Sequence, residues 1–133
     1  MQRLSGMPTL SRVALGILGE NAACVELERR GYAVLARRYH TRAGEIDIVA
    51  MDGPTLVFVE VKARTTADYG DPAEAVTLQK QGRVAAMARD YLAKTEVVDV
   101  PCRFDVVTVV LDERGEAVAL TLYPNAFDAP EEG

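Results

Sequence analysis

Residues 44–64 read GEIDIVAMDGPTLVFVEVKAR. Two apolar runs flank Asp52-Gly53-Pro54, a turn signal between strands. Each run also carries charge: Glu45 and Asp47 inside the first, Glu60 and Lys62 toward the end of the second. Carboxylates set among Ile, Val and Phe are costly to bury without a partner, so the reading turns on where they point. Side chains alternate faces along a strand. Glu45, Asp47 and Val49 therefore share one face of the first strand, and Leu56, Phe58, Glu60 and Lys62 share one face of the second. Val57, Val59 and Val61 take the opposite face. If the turn sets Asp47 opposite Phe58 or Glu60, the two carboxylates project from the same face as direct or diagonal neighbours, about 5–8 Å apart. A register shifted by one residue separates them. Leu56 and Phe58 on the charged face indicate that this face, too, is covered.

Two carboxylates held this close repel, and a shared proton or a divalent cation relieves them. An all-oxygen ligand set with open positions suits Mg²⁺ or Mn²⁺. Lys62 lies two residues beyond Glu60 on the same face, where its ammonium can orient water or neutralise an oxyanion. The trio has the makings of a phosphodiester-cleaving site. The plain alternative makes Glu60 and Lys62 the exposed end of an amphipathic strand, with Asp47 paired to an arginine.

Outward from this hairpin, residues 11–30 form a helix stopped by Gly31, and YAVLARRY (32–39) a strand. The stretch TTADYGDPAEAV (65–76) is a loop entering a second helix, with Asp71 as N-cap and Pro72 at its first position, running to about Lys94. CRFDVVTVVLD (102–112) and EAVALTLYP (116–124) make a final hairpin turning at 113–115. The order is helix, three strands, helix, two strands: an α/β fold with a mixed central sheet flanked by helices. We expect one domain over residues 11–124, with a flexible start at 1–10 and a loose acidic tail at 125–133.

The 133 residues, 49% hydrophobic and 26% charged, suffice for one domain with a real core. No window approaches a membrane span and the N-terminal segment lacks the apolar run of a signal peptide, so a soluble, cytoplasmic protein is expected. Cys24 and Cys102 lie far apart without metal-ligand spacing, and are expected to be reduced and mostly buried. A net charge of −5 argues against coating nucleic acid through overall charge. Charge is nevertheless uneven: Arg29, Arg30, Arg37, Arg38, His40 and Arg42 fall in a stretch with no acidic residue. The helices add polar residues on apolar stripes. Glu20 falls within the stripe of Val13, Ile17, Ala23, Cys24 and Leu27. Gln81 sits on that of Leu78, Val84, Ala85 and Ala88, with Lys80 at its margin. Singly these are edge residues reaching water; with Asp47, Glu60 and Lys62 they make one polar cluster.

Taken jointly, Glu20, GEIDIVA, FVEVKAR, YGDPAEAV followed by Lys80 and Gln81, and CRFDVV resemble the YraN-like family of small bacterial proteins. That family in turn resembles the Holliday-junction-resolvase branch of the PD-(D/E)xK, or restriction-endonuclease-like, nucleases. The match spans roughly residues 16–107. The proline of the motif's name is missing, since Ile46 precedes Asp47. The resemblance implies an αβββαβ core. It implies that Asp47 and Glu60, with the carbonyl of Val61, are ligands of Mg²⁺ or Mn²⁺, that Lys62 is the catalytic lysine and that Glu20 is a further acidic residue of the site. Lys80 and Gln81 become phosphate or active-site contacts, and Asp105 a structural hydrogen-bonding residue. Arg37, Arg38, Arg42 and Arg64 are expected to hold flanking phosphates of DNA. With few aromatic residues to stack bases, a structured or branched DNA recognised by backbone and shape is the expected substrate. A homodimer belongs to the same resemblance, and no P-loop or other nucleotide motif calls for a nucleotide cofactor. The competing class is a noncatalytic DNA-binding or assembly module on the same fold; a phosphatase of small substrates is a third.

Overall fold

A computed structural model describes residues 11–66 and 78–127. The elements run α1 (Arg12–Arg29), β1 (Ala33–Thr41), β2 (Gly44–Asp52), β3 (Thr55–Thr65), α2 (Leu78–Thr95), β4 (Cys102–Leu111) and β5 (Ala117–Tyr123). The five strands form one sheet in the order β1-β2-β3-β4-β5. Neighbours pair antiparallel except β3 and β4, which are parallel and joined through α2. This is the mixed sheet flanked by helices that the sequence implies, compatible with a restriction-endonuclease-like core.

Local chemistry sets the element ends. Ser11 caps α1, its hydroxyl accepting the Ala14 N–H at 3.0 Å. At the other end Gly31 takes φ +94°, while the N–H of Tyr32 reaches the carbonyl of Leu27 at 2.9 Å and that of Gly31 the carbonyl of Glu28 at 3.0 Å. That paired closure needs a left-handed residue, which glycine supplies without steric cost. Asp112 closes the last hairpin by accepting the amides of Arg114 and Glu116. The N-cap expected at Asp71 lies outside the described residues. No described helix is long and apolar enough to cross a membrane.

The core has one half on each face of the sheet. Under α1 lie Ala23, Cys24, Leu27, Tyr32, Ile48, Ala50, Val57, Val59, Val107, Val109 and Leu111. Under α2 lie Ile46, Val49, Leu56, Phe58, Val84, Ala85, Met87, Ala88, Tyr91 and Phe104. Four differences from the sequence reading follow. Val13, Ile17 and Leu78 are exposed: the early α1 residues that pack on the core are Leu15 and Leu18 instead, and the buried positions of α2 begin at Val84. Cys102, at the first position of β4, is exposed while Cys24 is buried. The first residues of the tail pack back on the sheet: the Ala126 N–H donates to the Phe104 carbonyl at 2.8 Å, and the Phe104 and Phe127 rings stack at 5.1 Å. Residues 128–133 lie outside the described part. Finally, β2 does not alternate faces throughout. Ile46 and Ile48 share a parity yet fall in opposite core halves, so the strand changes face at Asp47.

Candidate active site

The face change in β2 coincides with the end of its pairing to β3. The ladder runs from Asp52↔Thr55 to Ile48↔Val59 and stops. One step further, the same register sets Asp47 against Glu60, the direct-neighbour arrangement. Instead of a carbonyl of β2, the carboxylate of Asp47 accepts the Val61 N–H at 2.8 Å. Asp47 thus lies in the seam between the strands rather than standing on one face, as plain alternation expected. β3 continues past this point because β4 supports it in parallel from Leu56↔Cys102 to Thr65↔Leu111. The side chains of Glu60 and Lys62 follow Leu56 and Phe58 to the α2 face.

Glu20 and Glu60 are each only 9% exposed. Burial and the neighbouring Glu60 carboxylate push the Asp47 carboxyl up to about 7; Glu20 adds to the rise, while the Val61 amide opposes it. Near neutral pH, Asp47 therefore stands poised between its protonated and charged forms. Glu60 is attended by two cations: Lys80 Nζ at 2.9 Å from the start of α2, and Lys62 Nζ at 3.6 Å along its own strand. Gln81, the next residue of α2, is half-buried. Asp47, Glu60, Lys62 and Lys80 thus gather where the β2–β3 seam opens beside the first described turn of α2, while Glu20 lies with Arg38 on the α1 side.

The arginines divide. Arg38 Nε meets Glu20 Oε1 at 2.9 Å, and Arg37 Nη2 lies 3.9 Å from the same oxygen while donating to Asn21 Oδ1 at 2.6 Å. Sequence reasoning found no acid among these arginines; α1 brings one. Arg42 is exposed beside the β1–β2 turn, and Arg64 is half-buried on β3 beyond Lys62. Arg38 adopts φ +50°, a conformation costly for a residue with a side chain and one that clusters at functional sites.

Among the described residues no three Asp, Glu, His or Cys side chains gather in a group that could hold a metal ion. The donor chemistry of the smaller set still fits a hard divalent cation. Two carboxylates are forced together until one favours its proton, and the Val61 carbonyl lies beside them in the chain. A second buried carboxylate plays another part. Asp105, fully buried, accepts from Tyr32 Oη at 3.0 Å, from Arg103 Nε at 2.9 Å and from the Asn125 N–H at 2.8 Å, and Arg103 also bonds Asp52 at 2.9 Å. Burial, then the Asp105 charge, pushes the Tyr32 hydroxyl up to about 12. The sequence reading assigns Asp105 a structural bond but misses the network. Its only local signal is Arg103 two residues away on the same strand face.

Residues 19–109 match the uncharacterised protein family UPF0102. The UPF0102 protein of Geobacter metallireducens is 44% identical over 120 residues, covering 90% of this chain and 97% of its own. That of Pelotomaculum thermopropionicum is 42% identical over 117 residues, covering 88% and 98%. That of Symbiobacterium thermophilum is 48% identical over 115 residues, covering 86% and 97%. The matched span runs from Gly19 in α1 to Val109 in β4 and takes in Glu20, Asp47, Glu60, Lys62 and Lys80. The chain belongs to the UPF0102 family.

Proposed function

We propose that the chain is a divalent-cation-dependent DNA endonuclease hydrolysing phosphodiester bonds of structured or branched DNA. The observation that carries this reading is the Asp47–Glu60 carboxylate pair at the open end of the β2–β3 seam, with Lys62 and Lys80 on Glu60. Asp47, Glu60 and the Val61 carbonyl would hold Mg²⁺ or Mn²⁺. When bound, the cation supplies Lewis-acid polarisation of the phosphodiester and activation of water. The burial and the Glu60 charge that push the Asp47 carboxyl up also favour a cation beside it in place of a proton. Lys62, 3.6 Å from Glu60, orients the attacking water and offsets charge that develops on the phosphoryl oxygens. Lys80 and Gln81, at the same end of α2, face the adjoining phosphate. Arg37, Arg38, Arg42 and Arg64 hold the flanking backbone, a sequence-independent grip suited to recognition by shape.

The test compares wild type with Lys62→Ala, purified identically, on labelled four-way junction, flap, single-strand and duplex DNA in Mg²⁺ and in Mn²⁺. Loss of one preorganised group costs about 10²-fold or more in rate, with cation and DNA binding retained. Equal cleavage by both proteins points to a contaminating nuclease and removes the reading. A second reading, a noncatalytic DNA-binding or assembly module, is favoured by Lys80, whose ammonium already neutralises Glu60 at 2.9 Å. Binding by both proteins, unaffected by chelator and without product, selects it.

A further inference from the structure

Glu20 is a buried carboxylate whose cationic partners come from another element and are themselves open to solvent. Arg38 and Arg37 meet its Oε1 at 2.9 and 3.9 Å, with side chains about 40% and 38% exposed. β1 delivers Arg38 to α1 through the left-handed backbone at φ +50°. The pairs Arg37↔Ile48 and Tyr39↔Ile46 place Arg38 across from Asp47. α1 approaches the same spot from its own side: a Cβ on Gly19 would lie 2.6 Å from the Ala63 Cβ and 3.7 Å from Val61 Cγ1. The helix therefore presses on β3 at Ala63, two residues beyond the one whose amide Asp47 accepts, and Glu20 is next in sequence to Gly19. Its charge is felt at Asp47, yet it forms no three-carboxylate group with Asp47 and Glu60. One of its oxygens is engaged by Arg38 instead.

We propose that Arg38 is an anion-released latch: it holds Glu20 in the free protein, and a phosphodiester that captures Arg38 and Arg37 frees Glu20 to turn toward Asp47 and Glu60. The proposal rests on the divalent-cation reading above and adds its regulation. A guanidinium pairs with carboxylate and phosphate in the same two-pronged geometry, so one can replace the other on Arg38. The left-handed backbone aims the side chain at α1 rather than leaving it to swing on a flexible stem. The consequence is coupling. DNA backbone raises the affinity for the cation, and by linkage the cation raises the affinity for backbone by the same factor. A third carboxylate is added only when the substrate's negative charge is there to balance the cation.

Calorimetric titration with Mn²⁺ alone tests this on wild type, Arg38→Gly, Glu20→Gln, their double variant and Asp47→Asn. Glycine suits φ +50°, so relief of strain offsets part of the lost ion pair, and Arg38→Gln is a second variant that keeps a side chain at the position. Removing the latch is expected to tighten Mn²⁺ binding about tenfold, the usual size of such coupling. Glu20→Gln alone is expected to leave it near wild type, and the double variant to return it there. A short DNA duplex should tighten Mn²⁺ binding by wild type to the same degree, after subtracting Mn²⁺ taken up with Asp47→Asn present, and should do nothing further for Arg38→Gly. If the Arg38 variants bind Mn²⁺ no more tightly than wild type while Asp47→Asn abolishes binding, the latch is refuted and the cation site stands. Mn²⁺ binding by none of the proteins, or equally by all including Asp47→Asn, overturns the cation site and the latch together. Should Arg38→Gly not fold, Arg38→Gln and the duplex titration decide.

Discussion

Replacing Asp47 by Asn should stabilise the cation-free protein at alkaline pH and flatten its stability profile. The Asp47 carboxyl moves from an ordinary value of 3.8 to about 7, chiefly through burial and then through Glu60. Below pH 3.8 both folded and unfolded chains carry the proton. Between the two values the unfolded chain has lost it while the folded chain keeps it, so stability falls as pH rises; above about 7 the loss is complete. Roughly three pK units at about 1.4 kcal/mol each give an upper figure of ~4 kcal/mol, and partial access of water to the seam brings the expected cost to about 2–4 kcal/mol. Asparagine carries no charge, and its carbonyl oxygen can still accept the Val61 N–H. For a chain of this length the gain corresponds to a rise in Tm of roughly 10 °C at about pH 8, shrinking toward zero near pH 4. Urea unfolding in EDTA at pH steps from about 4 to about 8 measures it. Repeating the series with Mn²⁺ should stabilise wild type and leave the variant unchanged. Parallel pH profiles for the two proteins would refute the reasoning, because the carboxylates would then not be sharing one low-dielectric space.

Asp105→Ala removes the buried acceptor shared by Tyr32, Arg103 and the Asn125 amide, leaving Arg103 with Asp52, and should cost about 2–4 kcal/mol in chemical denaturation; a loss below about 1 kcal/mol would show that solvent and Asp52 satisfy these groups. Gly19→Ala drives a methyl into Ala63, where the built Cβ stands 2.6 Å away, and should cost about 1–3 kcal/mol, read from the Tm; a neutral result would mean that α1 can lift from β3. Changing Arg37, Arg38 and Arg42 together to Ala should reduce the slope of log K for DNA against log salt by about 2–3, at roughly 0.9 for each phosphate no longer neutralised. Fluorescence anisotropy at several salt concentrations measures this, and an unchanged slope places the DNA elsewhere.

The parts legible in the sequence are those fixed by neighbours along the chain. Gly31, Asp52-Gly53-Pro54 and the turn before Ala117 mark where strands and helices end, because special backbone angles and turn hydrogen bonds demand particular residues. Alternation carries Glu60 and Lys62 to the face of Phe58. The same rule places Asp47 beside Glu60, but Asp47 arrives there by another route, since β2 changes face between Ile46 and Ile48 and no local pattern announces that shift. Distant pairings are hidden too. Tyr32 and Asp105 are 73 residues apart, and Arg38 reaches Glu20 across 18. Val13 and Ile17 are exposed while Leu15 and Leu18 pack on the core, because which side of α1 meets the sheet is set by tertiary packing, not by helical periodicity alone.

The amide of Val61 is bonded to a side chain where its neighbours along the ladder are bonded to other backbone. Its proton therefore senses a carboxylate whose charge changes with pH and with whatever cation approaches. A single ¹⁵N-labelled resonance, belonging to a residue that itself bears no charge, becomes a spectroscopic gauge of the whole pair. Titrating acid or metal while following that one peak reads the site's state in the unaltered protein, with no ligand replaced and no probe attached.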